Sequence, residues 1–391
     1  MSDAAVATSY RWRIGLEGRV LVVLMWVLLT IGLATVYSAS SITADQMGRG
    51  HAFFLLRQVT GVIAGLVVFA IAAKVDAERW YAWAWPLMAL SIALLAIVIL
   101  PGTESIAPRI NGSRRFLVGG SLQPSELGKL AVITWTAMLL VKKGETMRRL
   151  MKGLFPFLVV LAVLNVLAAL EPDLSVALMY TLIMGIVLFA GGVRIGHFVA
   201  LMILVIPLAW QQIERLNYVL LRMVDFFDSG SAPATTGYQQ TQSLIAVGSG
   251  GPLGVGFGEG RQQYGFLPYA YDDFIAGNIG EEWGFLGLAI LIVAFMLYGY
   301  LGFRIARLAR TPFQKLVAVG ITATVIITAY LHIGVAIGML PTTGLTLPFI
   351  SYGRSNLVIT MLMTGILVNI GSTREKVIGA GATDPLAPAP A

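Results

Sequence analysis

The chain has 391 residues, 57% of them apolar and 12% charged, which excludes an ordinary soluble globular protein and leaves apolar surface to face lipid. With no Cys it has no disulfide, thiol nucleophile, Cys-ligated zinc or iron–sulfur cluster, and 3 His leave little for a His-rich metal site. An excess of 27 Lys and Arg over 20 Asp and Glu would suit a nucleic-acid binder, but the bases follow membrane topology instead, so no nucleic-acid partner is expected.

Residues 1–17 form an N-terminal segment ahead of the first apolar run. Runs near or above the roughly 18 residues that cross a bilayer follow at about 18–39, 53–73, 82–100, 125–141, 154–170, 174–192, 284–303, 316–339 and 357–371. The first is too long for a signal-peptide core and reads as a retained anchor. A shorter run at 197–211 opens at His197 and carries Pro207; we count it as a tenth crossing because the charges then balance. With the N-terminus inside, 17 of the 27 Lys and Arg fall on inner segments, including Lys142, Lys143, Arg148, Arg149 and Lys152, as the positive-inside rule requires. The expected fold is an all-α membrane protein of about ten transmembrane helices, one unit over 18–371, with both termini cytoplasmic. A long outer loop at 212–283 precedes helix eight, and a cytoplasmic tail at 372–391, rich in Ala, Pro and Gly from Gly379, is expected to be disordered. The absence of a fixed-period repeat or of inverted half-to-half symmetry disfavours a common transporter fold.

Candidate chemistry concentrates in the outer segments 101–129, 171–175 and 212–283. Glu126 and Lys129 share a helix face at three-residue spacing, behind Pro124 in a first turn. A helix-end ion pair with Lys129 snorkelling and a charged cavity lining both satisfy that spacing. In Glu171-Pro172-Asp173 the last acid is placed to cap the following helix. Arg114 and Arg115 stand outside against the charge trend, where guanidinium groups suit phosphate or carboxylate capture or interfacial anchoring. Residues 248–258 are glycine-rich but lack a Gly-Lys-Ser/Thr ending, so no nucleotide fingerprint is met. Asp272, Asp273, Glu281 and Glu282 gather near the start of helix eight; clustered acids raise one another's pKa or need a cation between them. Solvated surface acids are the plain alternative.

The segments GYQQTQSLIAVGSGGPLGVGFGEG, FLPYAYDDFIAGNIGEEWGFLG, LQPSELGK, EPDLS, NGSRRF and LPTTGLTLPFISYG resemble, in order and spacing, the FtsW/RodA (SEDS) family of bacterial peptidoglycan glycosyltransferases, over roughly 20–371. The resemblance implies a ten-helix enzyme of the bacterial cytoplasmic membrane. It would polymerise lipid II on the outer face, in septal or lateral wall synthesis, beside a class B penicillin-binding protein. Matched motif by motif, the family's essential acids fall on Asp273 and Asp173, its Glu and Lys on Glu126 and Lys129, and its Arg on Arg115, with Phe116 in the place of Trp. Asp273 is the expected base or ligand of a divalent metal, Mg or Mn; Arg115 and Lys129 are expected to neutralise a leaving pyrophosphate. Glu126 would orient Lys129 and Asp173 would position substrate or metal, with Arg114, Asp272 and Glu281 as further substrate contacts. Tyr269, Tyr271, Asp272, Gln263, Arg354 and Asn356 depart from the usual pattern, Arg354 placing a bulky cation where the family has Gly. The wording of the last motif favours the FtsW branch. A lipid II flippase and a non-catalytic division or elongation scaffold are the rival readings.

Overall fold

A computed structural model describes residues 8–108, 114–117, 121–144, 153–193, 196, 236–378 and 381–383. Among them are eleven α-helices: α1 (Leu16–Gln46), α2 (Phe53–Lys74), α3 (Arg79–Ile99), α4 (Pro124–Lys143), α5 (Phe155–Leu170), α6 (Leu174–Ala190), α7 (Thr236–Gly250), α8 (Ile275–Glu282), α9 (Gly284–Arg307), α10 (Pro312–Ala336) and α11 (Arg354–Ile370). Nine of them fall on nine of the expected spans. The run at 197–211 and the inner loop at 145–152 lie outside the described residues. By length and composition α1, α2, α3, α9 and α10 can cross a membrane, and α5, α6 and α11 are apolar but shorter. Several starts are written locally: proline opens α4, α5 and α10, where its missing N–H costs nothing. The Asp173 carboxylate and the Thr311 hydroxyl accept from Val176 N and Gln314 N, at 3.3 and 3.2 Å.

Two expectations need correction. Within the supposed loop 212–283, α7, a 3₁₀ turn at Gln262–Tyr264 and α8 are ordered elements. The polar sequence of α7 hid it, because its polar side chains bind the end of α10: Ser243 Oγ donates to Ala336 O at 2.8 Å and Gln240 Nε2 to Leu340 O at 2.9 Å. The described part of the C-terminal tail, residues 372–378 and 381–383, also holds strands where disorder was expected. Strands β1 (Thr8–Ile14), β2 (Ser372–Ile378) and β3 (Gly381–Thr383) form an antiparallel sheet in that order. Gly15 N donates to Gly371 O at 3.3 Å, so the bundle delivers two extended segments side by side, and each satisfies the other's backbone.

Helix α4 runs through the middle; nearly every residue from Pro124 to Leu140 is buried, Trp135 completely. Helices α2 and α11 pack closely because Gly61 and Gly65 share a face: a Cβ at Gly65 would stand 2.4 Å from Met361 Sδ, and one at Gly365 2.6 Å from Phe69 O. The bundle has two ends. At the terminal end, beside the strands, Arg304 pairs with Glu17 at 2.9 Å and Glu78 accepts from Thr311 and Gln314 at 3.0 and 3.1 Å. Asn369 there binds Ala73 O and Ala77 N, each at 2.8 Å. At the opposite, loop end meet residues 114–117, 121–123, 171–173, 251–274 and 341–353.

Candidate active site

At the loop end α4 and α6 hold one group of charges. The Lys129 ammonium lies 2.8 Å from Glu126 Oε1, with 3% and 7% of the two side chains exposed. Both are buried because α4 is surrounded, so the pair is a desolvated one and not a snorkelling surface pair. The other Glu126 oxygen, Oε2, is buried without a partner. Gly128 admits Tyr180, whose hydroxyl would touch a Cβ there at 2.2 Å and instead donates to Ser125 O at 3.0 Å. Glu171, Glu126 and Asp173 all bear electrostatically on that hydroxyl. Arg115 closes the group: Nη2 donates to Pro172 O at 2.9 Å and Nη1 lies 3.5 Å from Asp173 Oδ2. Glu171 is 1% exposed and neither carboxylate oxygen has a partner. Burial, reinforced by Asp173 and opposed by Arg115, pushes its pKa from 4.5 to about 8.

A second group surrounds a cavity with about 500 Å³ of open space, lined among others by Phe116, Gln123, Asp272, Tyr352, Arg354 and Asn356. Asp272 Oδ1 is buried without a partner; burial, then the neighbouring Asp273, push the Asp272 carboxyl well above its usual range. Asp273 faces Gly344, where a Cβ would lie 3.9 Å from Oδ2. The loop that supplies Gly344 is fixed on both sides: Ser175 Oγ donates to Thr343 O, and Leu345 O lies 2.7 Å from Nδ1 of the buried His332. Phe54, Tyr271 and Tyr352 stack as an aromatic trio with centroids 4.6–5.7 Å apart. Burial raises the Tyr352 hydroxyl, while Arg57 and Arg354 pull it down.

The two groups share walls. Arg115 adjoins Phe116, Gln123 precedes α4, and Ser175, two residues past Asp173, holds the loop facing Asp273. Two residues expected at the site go elsewhere. Arg114 pairs with Glu104 and reaches Leu100 O at 3.4 Å, so it braces the end of α3. The Glu281 carboxylate accepts from Arg261 N at 2.8 Å and Gln262 N at 3.2 Å, so it holds the 251–274 loop. Glu282, likewise buried, accepts from Ser38 Oγ. Sequence reasoning missed Glu171 and His332; only burial distinguishes them.

A family model described as "Cell cycle protein", covering FtsW, RodA and SpoVE, matches residues 19–376. The probable peptidoglycan glycosyltransferase FtsW of Geobacter metallireducens is 37% identical over 91% of this chain and 94% of its own. Stage V sporulation protein E of Bacillus subtilis is 34% identical over 90% of this chain and 95% of its own. Among solved structures, a chain of a peptidoglycan synthase complex that coordinates polymerization and crosslinking superposes with a TM-score of 0.75 at 25% identity, covering 90% of this chain and 97% of that one. The rod shape determining protein RodA of Thermus thermophilus gives 0.61 at 25% identity, over 90% and 95%. With its apolar helices arranged in that fold, the chain belongs to the FtsW/RodA/SpoVE family of multi-pass membrane proteins.

Proposed function

We propose that the protein is a peptidoglycan glycosyltransferase that polymerises lipid II into glycan strands, in septal or lateral wall synthesis. In this reading it has ten spans, both termini in the cytoplasm, its loop end at the outer face of the cytoplasmic membrane, and a class B penicillin-binding protein as partner. One observation carries it: carboxylates and cations occupy adjoining walls at one end of the bundle, Asp272 and Asp273 on one side, Arg115 and Lys129 on the other. Glycosyl transfer needs both. Asp273 takes the proton of the acceptor hydroxyl as the new sugar–oxygen bond forms, the bond to the prenyl pyrophosphate breaks, and Arg115 and Lys129 take up the charge of the leaving group. Glu126 orients Lys129, and Asp173 orients Arg115.

Among the described residues no three His, Asp or Glu side chains converge on a metal position. The adjacent carboxylates of Asp272 and Asp273, one oxygen of them buried and unpartnered, fit Mg or Mn that takes its other ligands from water and phosphate. When bound, such an ion would supply charge neutralisation at the pyrophosphate. The rivals fare worse. Among the described residues every buried Asp, Glu and Lys lies at the loop end, whereas a flippase needs polar groups through the membrane depth. A scaffold has no use for unpartnered buried carboxylates.

The test is polymerisation of lipid II by the purified protein, with and without a class B partner. Glycan strands are expected from the parent and none from Asp273→Asn; no product from the parent in either condition overturns the reading. For orientation, cysteines placed at 145 and 232 of this Cys-free chain are probed in intact cells with an impermeant thiol reagent. Labelling at 232 alone is expected, and labelling at 145 alone reverses the topology.

A further inference from the structure

Where α1, α8 and the segment 258–263 meet, buried oxygens converge on one carboxylate. Ser38 of α1 donates its hydroxyl proton to Glu282 Oε1. The Gly258 N–H and Asn278, one turn earlier on α8, stand against the same carboxylate. Ser38, Gln263, Asn278 and Glu282 are each at most 4% exposed. Gln263 Nε2 donates to Gly258 O at 2.7 Å, which turns the amide oxygen toward Ser38, 3.5 Å away. The single Ser38 proton is committed to Glu282, so the Gln263 oxygen faces only other oxygens. Glu282 Oε2 has no partner, and neither has either amide atom of the fully buried Asn278. Glu281 adds a second negative charge beside the first: its carboxylate accepts from Arg261 N and Gln262 N. The loop backbone is pressed against both acids, since a Cβ at Gly260 would stand 2.9 Å from Glu281 Oε2 and 3.3 Å from Glu282 Cγ. Among the described residues no Lys, Arg or His pairs with Glu281 or Glu282. Buried charges need a counter-charge, and acceptors that face acceptors need something positive between them.

We infer that Glu282, Asn278 Oδ1, Gln263 Oε1 and Ser38 Oγ form a calcium site, separate from the aspartates of the candidate active site and independent of the reaction proposed above. The donors are all hard oxygens of the kinds calcium takes: carboxylate, amide carbonyl and hydroxyl. The 3.5 Å between the Ser38 and Gln263 oxygens is the separation of two ligands held at right angles by an ion about 2.3–2.6 Å from each. Two adjacent carboxylates call for a divalent ion, and deep burial favours calcium over magnesium, which gives up its water reluctantly. A proton on Glu282 would serve one of these oxygens; a cation serves them all. The ion would staple α1 to α8 and to the segment that ends in Asp272 and Asp273.

Thermal melting of the full-length purified protein, first freed of metal by chelation, tests this in calcium, magnesium and sodium chlorides at equal ionic strength. Calcium at about 10 mM is expected to raise the melting temperature by roughly 3–5 °C, from the Kd of about 10⁻⁴–10⁻³ M typical of weakly charged calcium sites. Magnesium and sodium should each raise it by less than about 1 °C. Glu282→Gln should abolish the calcium response and Asn278→Leu should weaken it, while Asp273→Asn should keep it whole. Gln263→Lys brings an ammonium to the same oxygens, so it should melt higher than the parent without calcium and no longer respond to it. A parent that ignores calcium overturns the site. So does a response that survives Glu282→Gln, or one that magnesium or sodium matches. A response lost in Asp273→Asn but kept in Glu282→Gln would move the ion to the aspartates and overturn it too. If Glu282→Gln fails to fold, Gln263→Lys decides alone, and an undiminished calcium response in that variant removes the site.

Discussion

The two ends of the bundle treat polar groups differently. At the terminal end Asn369 satisfies Ala73 and Ala77, Glu78 is shared by Thr311 and Gln314, and the Arg304–Glu17 pair is half in solvent. At the loop end the unpartnered buried oxygens of Glu126, Glu171, Asp272 and Glu282 accumulate. A buried carboxylate oxygen without a partner costs free energy, on the order of 1–3 kcal/mol or more. Its concentration at one end means that this end is shaped for something other than stability. The terminal-end carboxylates are partnered, and the loop end leaves carboxylate oxygens buried without partners.

The sharpest way to break this contrast is at the acids. Asp273→Asn should lower the polymerisation rate by about 10²–10⁴, the scale of a lost general base, while Asp272→Thr, which leaves that base in place, should lower it less; near-normal glycan from Asp273→Asn removes the acid from the chemistry. Next come the cations. Arg115→Gln should cost roughly 2.7–4 kcal/mol of transition-state stabilisation, as for one electrostatic donor, read as loss of product. Lys129→Met needs a control, because it strands a buried Glu126 and should destabilise the fold by about 3–5 kcal/mol. Adding Glu126→Gln should restore the melting temperature but not the activity, and restored activity would make the pair structural. Glu171 gives a smaller, pH-dependent effect. Its carboxyl is raised from 4.5 to about 8, so the native state pays no ionisation penalty below 4.5 and loses stability as pH rises toward 8. Glu171→Gln should flatten that slope, raising stability by roughly 1–3 kcal/mol at pH 9 and hardly at all at pH 4; parallel melting curves across pH would refute it. At the terminal end Arg304→Gln should leave both melting temperature and activity unchanged, as for an exposed pair. A measurable loss there would end the contrast between the two ends.

Much of this was legible because it is local. Apolar runs located nine helices, three-residue spacing paired Glu126 with Lys129, and Asp173 read as a cap; each depends on residues within one turn. What escaped depends on distant partners. Arg114 and Arg115 are neighbours in sequence, yet one binds Glu104 and the other reaches residues 172 and 173, a choice set by the packing of α3 against α4. Glu281 looked like a site acid because its backbone partners, Arg261 and Gln262, lie some twenty residues back. The polar face of α7 resembled a loop until α10 supplied carbonyls for it. Glu171 read as one more turn residue, since nothing in its neighbours announces that α5 and α6 seal it.

The peptide groups beneath the two aspartates are stitched to the lead-in of α11. Tyr352 N donates to Tyr271 O at 2.9 Å and Ser351 Oγ to Asp272 O at 2.7 Å. Gln58 of α2 grips the same lead-in from the other side, giving to Ser351 O at 3.0 Å and taking from Gly353 N at 3.2 Å. Three stretches far apart in the chain, at residues 58, 271–272 and 351–353, are thus tied together through their backbones. Removing the Gln58 amide therefore takes two hydrogen bonds from the same lead-in whose Ser351 and Tyr352 hold the carbonyls of Asp272 and Tyr271.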